Sequence, residues 1–138
     1  MQSDLFNLAV FNARLNTIIL KKEKVITFLK LAAGGDLQAA FIRFIAPNFI
    51  HHNQYFEGKR ESLLKAMEEA HQTSPNKSIE IKNCYSEGDT VVTHSLVVKE
   101  EMEVAVVHIF RYENDHIVEL WDLGKVAEKN SPNENGLF

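Results

Sequence analysis

The chain has 138 residues, 45% hydrophobic and 25% charged, which fits one globular domain with a proper core and leaves too little for two. Its formal net charge of -4 leaves no Lys/Arg stripe to neutralise phosphates, so no nucleic-acid partner is expected. One cysteine, Cys84, excludes an internal disulfide and a cysteine-built zinc site, and no apolar stretch approaches the roughly 20 residues that span a bilayer; without a signal-like N-terminus, the expectation is a cytoplasmic protein with no membrane partner.

In chain order, Leu8, Phe11, Leu15 and Ile18 predict a helical stripe over residues 4–20. From Lys22 to Ala33 the apolar positions Val25, Phe28, Leu29 and Ala32 recur at i, i+3, i+4 and i+7, and Gly34-Gly35 ends the helix. Asp36 reads as the N-cap of a short helix from Leu37 to Ile45, stopped by Ala46-Pro47. An extended piece, Asn48 to His52, follows. Gly58 opens a third helix whose buried stripe is Leu63, Ala66, Met67 and Ala70, ending at Thr73-Ser74-Pro75-Asn76.

Past Pro75 the period changes to two. Strands are predicted at Ser78–Tyr85, Thr90–Lys99, Glu103–Tyr112 and His116–Leu123, with turn chemistry at Ser86-Glu87-Gly88-Asp89. The tail from Glu128 is polar and reads as loose until Leu137-Phe138. Helices followed by an antiparallel meander predict an α+β fold with the helices on one sheet face. Residues 1–21 are expected to form a helical extension, 22–127 the domain and 128–138 a polar tail. The third strand is apolar on both faces, with Val104, Val106 and Phe110 on one and Ala105, Val107 and Ile109 on the other. The face away from the helices needs a cover, and homodimerisation through the sheet is expected.

The last two strands carry a histidine and an aspartate among Val, Ile, Phe and Trp. A carboxylate closing such a strand either reaches water or loses its charge, and a carboxyl group in an apolar cavity is material for general acid–base chemistry. His108 lies fourteen residues before Asp122, and their relative facing depends on the turn. A three-residue loop puts them on one face, and a two-residue loop on Asn114-Asp115 on opposite faces. His108 is therefore either a polar contact or a core or interface histidine.

Three segments carry a family resemblance. They are Phe49-Ile50-His51-His52-Asn53 followed by Gly58-Lys59-Arg60-Glu61; Gly88-Asp89-Thr90-Val91-Val92-Thr93-His94; and the hairpin Ile109 to Asp122, the most specific of the three. Together they resemble the SnoaL-like polyketide cyclase branch of the NTF2-like α+β cone over about residues 22–125. The chain departs from the family pattern at Leu120, where a histidine is common, at Asp115-His116 for Gly-Lys in the turn, and at Gln54 for proline.

The resemblance implies that Asp122 acts as acid/base on a C–H beside a carbonyl, and that His108 hydrogen-bonds a substrate oxygen or Asp122. It places His52 and Asn53 at the pocket mouth. His94, Phe49, Phe56 and Leu120 are expected around a small hydrophobic molecule, His94 being as readily a structural histidine. No cofactor is implied, and no metal is expected, since no histidine pair has ligand spacing and His51-His52 point apart in a strand. The function expected is acid/base chemistry of the aldol-cyclisation or isomerisation type on a small hydrophobic carbonyl compound. The alternative is a non-catalytic module that binds a hydrophobic ligand or oligomerises. An epoxide-opening hydrolase would need an Asp–Arg–Asp relay that Arg111 and Asp122 alone do not make.

Overall fold

A computed structural model describes residues 2–138. The order is α1 (Gln2–Ala33), α2 (Leu37–Phe44), β1 (Ile45–His51), α3 (Arg60–Thr73), β2 (Asn76–Glu87), β3 (Thr90–Lys99), β4 (Glu103–Glu113) and β5 (His116–Val126). The five strands form one sheet in the order β1-β5-β4-β3-β2. β1 runs parallel to β5, and the other neighbours are antiparallel. The helices pack on one face, as the helix-then-meander pattern predicts. The extension and the first domain helix are one continuous helix of 32 residues.

Several boundaries differ from the sequence expectation, among them β2, which runs from Asn76 to Glu87, and β5, which continues to Val126. The segment Ala46-Pro47 belongs to β1, which begins at Ile45. Proline is tolerated there because β1 is an edge strand and needs no amide donor on its outer side. The third helix starts at Arg60, two residues after Gly58.

The core lies between α1, α2 and the inner sheet face. Phe28 is its centre, with ring centroids 6.1 Å from Phe41, 6.3 Å from Phe44 and 5.9 Å from Phe110. Val25, Ala40, Phe41, Val91, Phe110 and Ile117 are fully buried. After α1 the chain turns through Gly35 at φ +91°, where a side chain would collide with the His71 ring. That close approach seats the end of α3 against the α1–α2 turn. Tyr112 donates its hydroxyl to the Lys21 carbonyl (3.4 Å), and Lys21 donates to the Gly88 carbonyl (3.2 Å), tying mid-α1 to the β2–β3 turn.

The β4–β5 hairpin resolves the facing of His108 and Asp122. Asn114 and Asp115 have φ of 49° and 67°, a two-residue turn with both central residues left-handed. By itself that turn would set His108 and Asp122 on opposite faces. A bulge intervenes: Tyr112 pairs with Ile117, yet Arg111 pairs with Glu119. Val118 is the extra residue, and both Ile117 and Val118 are buried. The bulge shifts the register by one, so His108 stands directly opposite Asp122 on the same face.

The tail is exposed up to its end, where the Phe138 ring stacks on His94 at 5.1 Å with Lys82 above it at 5.7 Å.

Candidate active site

A cavity of about 260 Å³ opens between α1, α3 and the inner faces of β3 to β5. Its wall is mostly apolar: Phe28, Leu29 and Ala32 from α1, Leu63, Ala66, Met67 and Ala70 from α3, and Val97, Val104, Val106 and Leu120 from the sheet. The alanines on α1 and α3 leave the space that larger side chains would fill. Among the polar groups on this wall are Asn53, His108 and Asp122, together with Asn76 and Lys99 at the far rim. Asn76 donates to the Ala33 carbonyl (3.3 Å) and Lys99 to the Ser74 carbonyl (2.7 Å), so both are engaged with backbone.

Asp122 follows the point where β1 stops pairing with β5, at His51 opposite Leu120. The loop after β1 lies beside it, and Asn53 Nδ2 donates to Asp122 Oδ2 at 3.1 Å. Asn53 is itself fixed from both ends. Its backbone N–H donates to His51 Nδ1 (3.1 Å), and its Oδ1 accepts from the Tyr55 N–H (3.0 Å). His51 is buried, and with Nδ1 accepting, its Nε2–H donates to the Glu57 carbonyl. A chain His51–Asn53–Asp122 thus orients the carboxylate through part-buried hydrogen bonds.

His108 Nε2 lies 3.9 Å from Asp122 Oδ1. That distance is within electrostatic reach and too long for a hydrogen bond. The His108 ring stacks on Phe110 at 5.7 Å, and its Nδ1 is buried with no hydrogen-bond partner. Burial pushes the His108 pKa below its ordinary value, with Asp122 pulling the other way. The imidazole is accordingly neutral at pH 7. Across the ladder Thr93 pairs with His108 on β3, and its Oγ1 is also buried and unpartnered. Thr93, His108 and Asp122 form a polar row across three strands.

Asp122 stands where the cavity meets a second cleft of about 500 Å³ on the sheet's open end. The two share Asn53, Val104, Val106 and Asp122, and His52, Gln54 and Tyr55 line the outer one. A wider trough of about 830 Å³ beside the Val98–Glu103 turn and the tail is lined by several Lys and Glu residues and lies apart from this cluster.

Of the residues singled out from sequence, Asp122, His108, Asn53, Leu120 and Phe56 border the inner cavity. Three do not. His52 is turned to the outer face, stacked on Trp121 at 4.7 Å and hydrogen-bonded to Glu119 at 2.6 Å. That bond, with Arg111 beside it at 2.9 Å, holds the Glu119 carboxyl below the usual carboxylate range. His94 is on the outer face of β3 against Phe138, hydrogen-bonded to Asn83. Phe49 is in the core, 6.5 Å from Phe41 and stacked on His51. Sequence reasoning missed His51 and Thr93. Thr93 carried a signal, as a hydroxyl alternating with Val91 and Val97 on one strand face.

Arg111 points away from the cavity toward Glu119 and Glu113, so it completes no relay with Asp122. Among the described residues no group of three or more His, Cys, Asp or Glu gathers as a metal site.

Comparison with known proteins agrees with this architecture. The model of the SnoaL-like domain family matches residues 25–120. An NTF-2 like protein of unknown function from Burkholderia xenovorans superposes with a TM-score of 0.66 at 15% identity, over 80% of this chain and 86% of that one. IdmH from Streptomyces antibioticus, a proposed polyketide cyclase, gives 0.59 at 15% identity over 75% and 91%. An LEH-like epoxide hydrolase from M. tuberculosis gives 0.60 at 15% identity over 75% and 81%. At these identities the likeness is one of fold. No curated protein sequence matches the chain. The family match covers well over half of the chain, from the buried half of α1 to Leu120 on β5, and the protein belongs to the SnoaL-like domain family.

Proposed function

We propose that the protein is a cofactor-independent enzyme performing acid/base chemistry, of the aldol-cyclisation or isomerisation type, on a small hydrophobic carbonyl compound. One observation carries the reading. The Asp122 carboxylate, clamped by Asn53, borders an apolar cavity with a neutral imidazole 3.9 Å away on the same face. Asp122 would remove a proton α to the carbonyl, and the negative charge would move to the carbonyl oxygen. His108, with its proton on Nε2, would donate to that oxygen. The imidazole's neutrality suits this role, because it remains a donor without competing for the proton Asp122 takes. The inner cavity is just below the range of about 300–1,000 Å³ usual for ligand sites, which favours a compact reacting end with any longer substituent in the outer cleft. A cytoplasmic setting and a second copy packed on the outer sheet face belong to the same proposal.

Leu120 supports a second reading. It is buried two residues before Asp122 on the cavity wall, where the family pattern has a histidine, and it makes the site a better holder of apolar ligands than of polar intermediates. A binding experiment separates the two. A phenol, planar and carrying its oxygen as an enolate does, should bind the wild type at least tenfold tighter than a saturated ketone of equal size. The preference should vanish in His108→Phe. Equal affinities of the wild type for both would leave a hydrophobic ligand site and no enolate-stabilising one.

A further inference from the structure

The first half of α1 carries an apolar seam with no cover. Leu8, Phe11, Leu15 and Ile18 follow one another at spacings of three, four and three, and the series continues through Lys22 to Val25, Leu29 and Ala32. The last three are buried in the core, whereas Leu8, Phe11, Leu15 and Ile18 are 55%, 61%, 43% and 38% exposed. Leu5 and Ile19 flank the seam and are exposed too. This alternation is the knobs-into-holes spacing of paired helices, and most helical stability in proteins comes from packing such an apolar face. The family match begins at Val25 and leaves the arm out.

Between Ser3 and Leu20 the chain has two charged side chains, Asp4 and Arg14. Asp4 sits on the seam four residues before Leu8, and Lys22 sits on it four residues after Ile18. Neither has an ion-pair partner among the described residues.

We infer that the seam is covered by α1 of a second copy of this chain, lying antiparallel about a two-fold axis at Ala13. In that register Leu8 meets Ile18 of the partner subunit, and Phe11 meets the partner's Leu15. Asp4 meets Lys22 of the partner subunit, and the symmetry repeats the pair at the other end. The four apolar layers are thus closed at both ends by opposite charges. A parallel pairing would set Asp4 against Asp4 and Lys22 against Lys22, which like-charge repulsion disfavours. Arg14 flanks the antiparallel centre and approaches its own copy, a solvated contact that salt screens. The pairing depends neither on the chemistry of the cavity nor on the outer sheet face.

The test is the mass of the full chain by light scattering at tens of micromolar. The double variant Leu8→Gln/Leu15→Gln should halve it while leaving the circular dichroism of the folded domain in place. The charge pair supplies the second measurement. Asp4→Lys should weaken association several-fold, and adding Lys22→Asp should restore it. Within one helix these two positions are 18 residues apart, about 27 Å at ~1.5 Å per residue, so rescue has to come from a second chain. A wild type with the same mass as the Gln variant would overturn the inference, including one that is monomeric and instead floats with lipid vesicles. Failure of the swapped pair to rescue, with melting behaviour unchanged, would overturn the antiparallel register.

Discussion

His108 is where burial and charge compete most directly. Its pKa lies below the ordinary 6.5 because burial outweighs the attraction of Asp122. The unfolded chain therefore binds a proton that the folded one resists, and folding is favoured by neutrality. This contribution is fully present above about pH 6.5 and is lost as pH falls toward the folded value. Thermal unfolding followed between pH 7.5 and 5 should show the melting temperature dropping below about pH 6.5. In His108→Phe the drop should be shallower. An identical slope in the two proteins would mean that His108 is not held neutral by its surroundings. Alternation of apolar residues misplaced His94 for a related reason. The outer face of β3 (Val92, His94, Leu96, Val98) is nearly as apolar as a core face, whereas the inner one carries Thr93 and Ser95, both buried without partners. Hydropathy favoured the wrong side of that strand. His52 lines the outer cleft and not the inner cavity because β1 leaves the sheet after His51, so the inward position passes to His51 and the outward one finds Trp121.

At the scale of elements, most of the architecture was legible. Three helices and four of the five strands follow from periodicity, glycine and proline, whereas the sequence leaves the turn at Asn114-Asp115 open between a two-residue and a three-residue loop, and the structure shows both residues left-handed. The bulge at Val118 was not legible, because Ile117 and Val118 are both apolar and either fits a buried position; only packing against the core decides that both turn inward. The Gly34-Gly35 stop was legible as a helix end, and its second role depends on tertiary contact. Gly35→Ala would force an L side chain into φ +91° and into the His71 ring. The expected cost is about 1–3 kcal/mol, read as a lower denaturation midpoint at unchanged slope. A midpoint within error of wild type would show that the α1–α2 turn and the end of α3 move apart freely.

Over the whole molecule, α1, α3 and the sheet enclose the cavity, and the chain leaves two apolar surfaces, the arm and the outer sheet face. No helix of the described residues is long and apolar enough to cross a membrane. On the outer face Ala105, Val107 and Ile109 lie side by side on β4, each half-buried. If a second copy packs there, Val107→Glu places a charge in the interface and should halve the mass measured by light scattering, independently of the arm. An unchanged mass would leave that face without a partner.

The proposed function turns on one chemical event, transfer of a carbon-bound proton to Asp122. Its most direct measure is deuterium uptake at the α-carbon of small hydrophobic ketones in heavy water, followed by NMR. The wild type should accelerate exchange over buffer, and Asp122→Asn should lose at least about 100-fold of that rate while binding the same ketones with similar affinity. Exchange at the wild-type rate in Asp122→Asn would contradict the account.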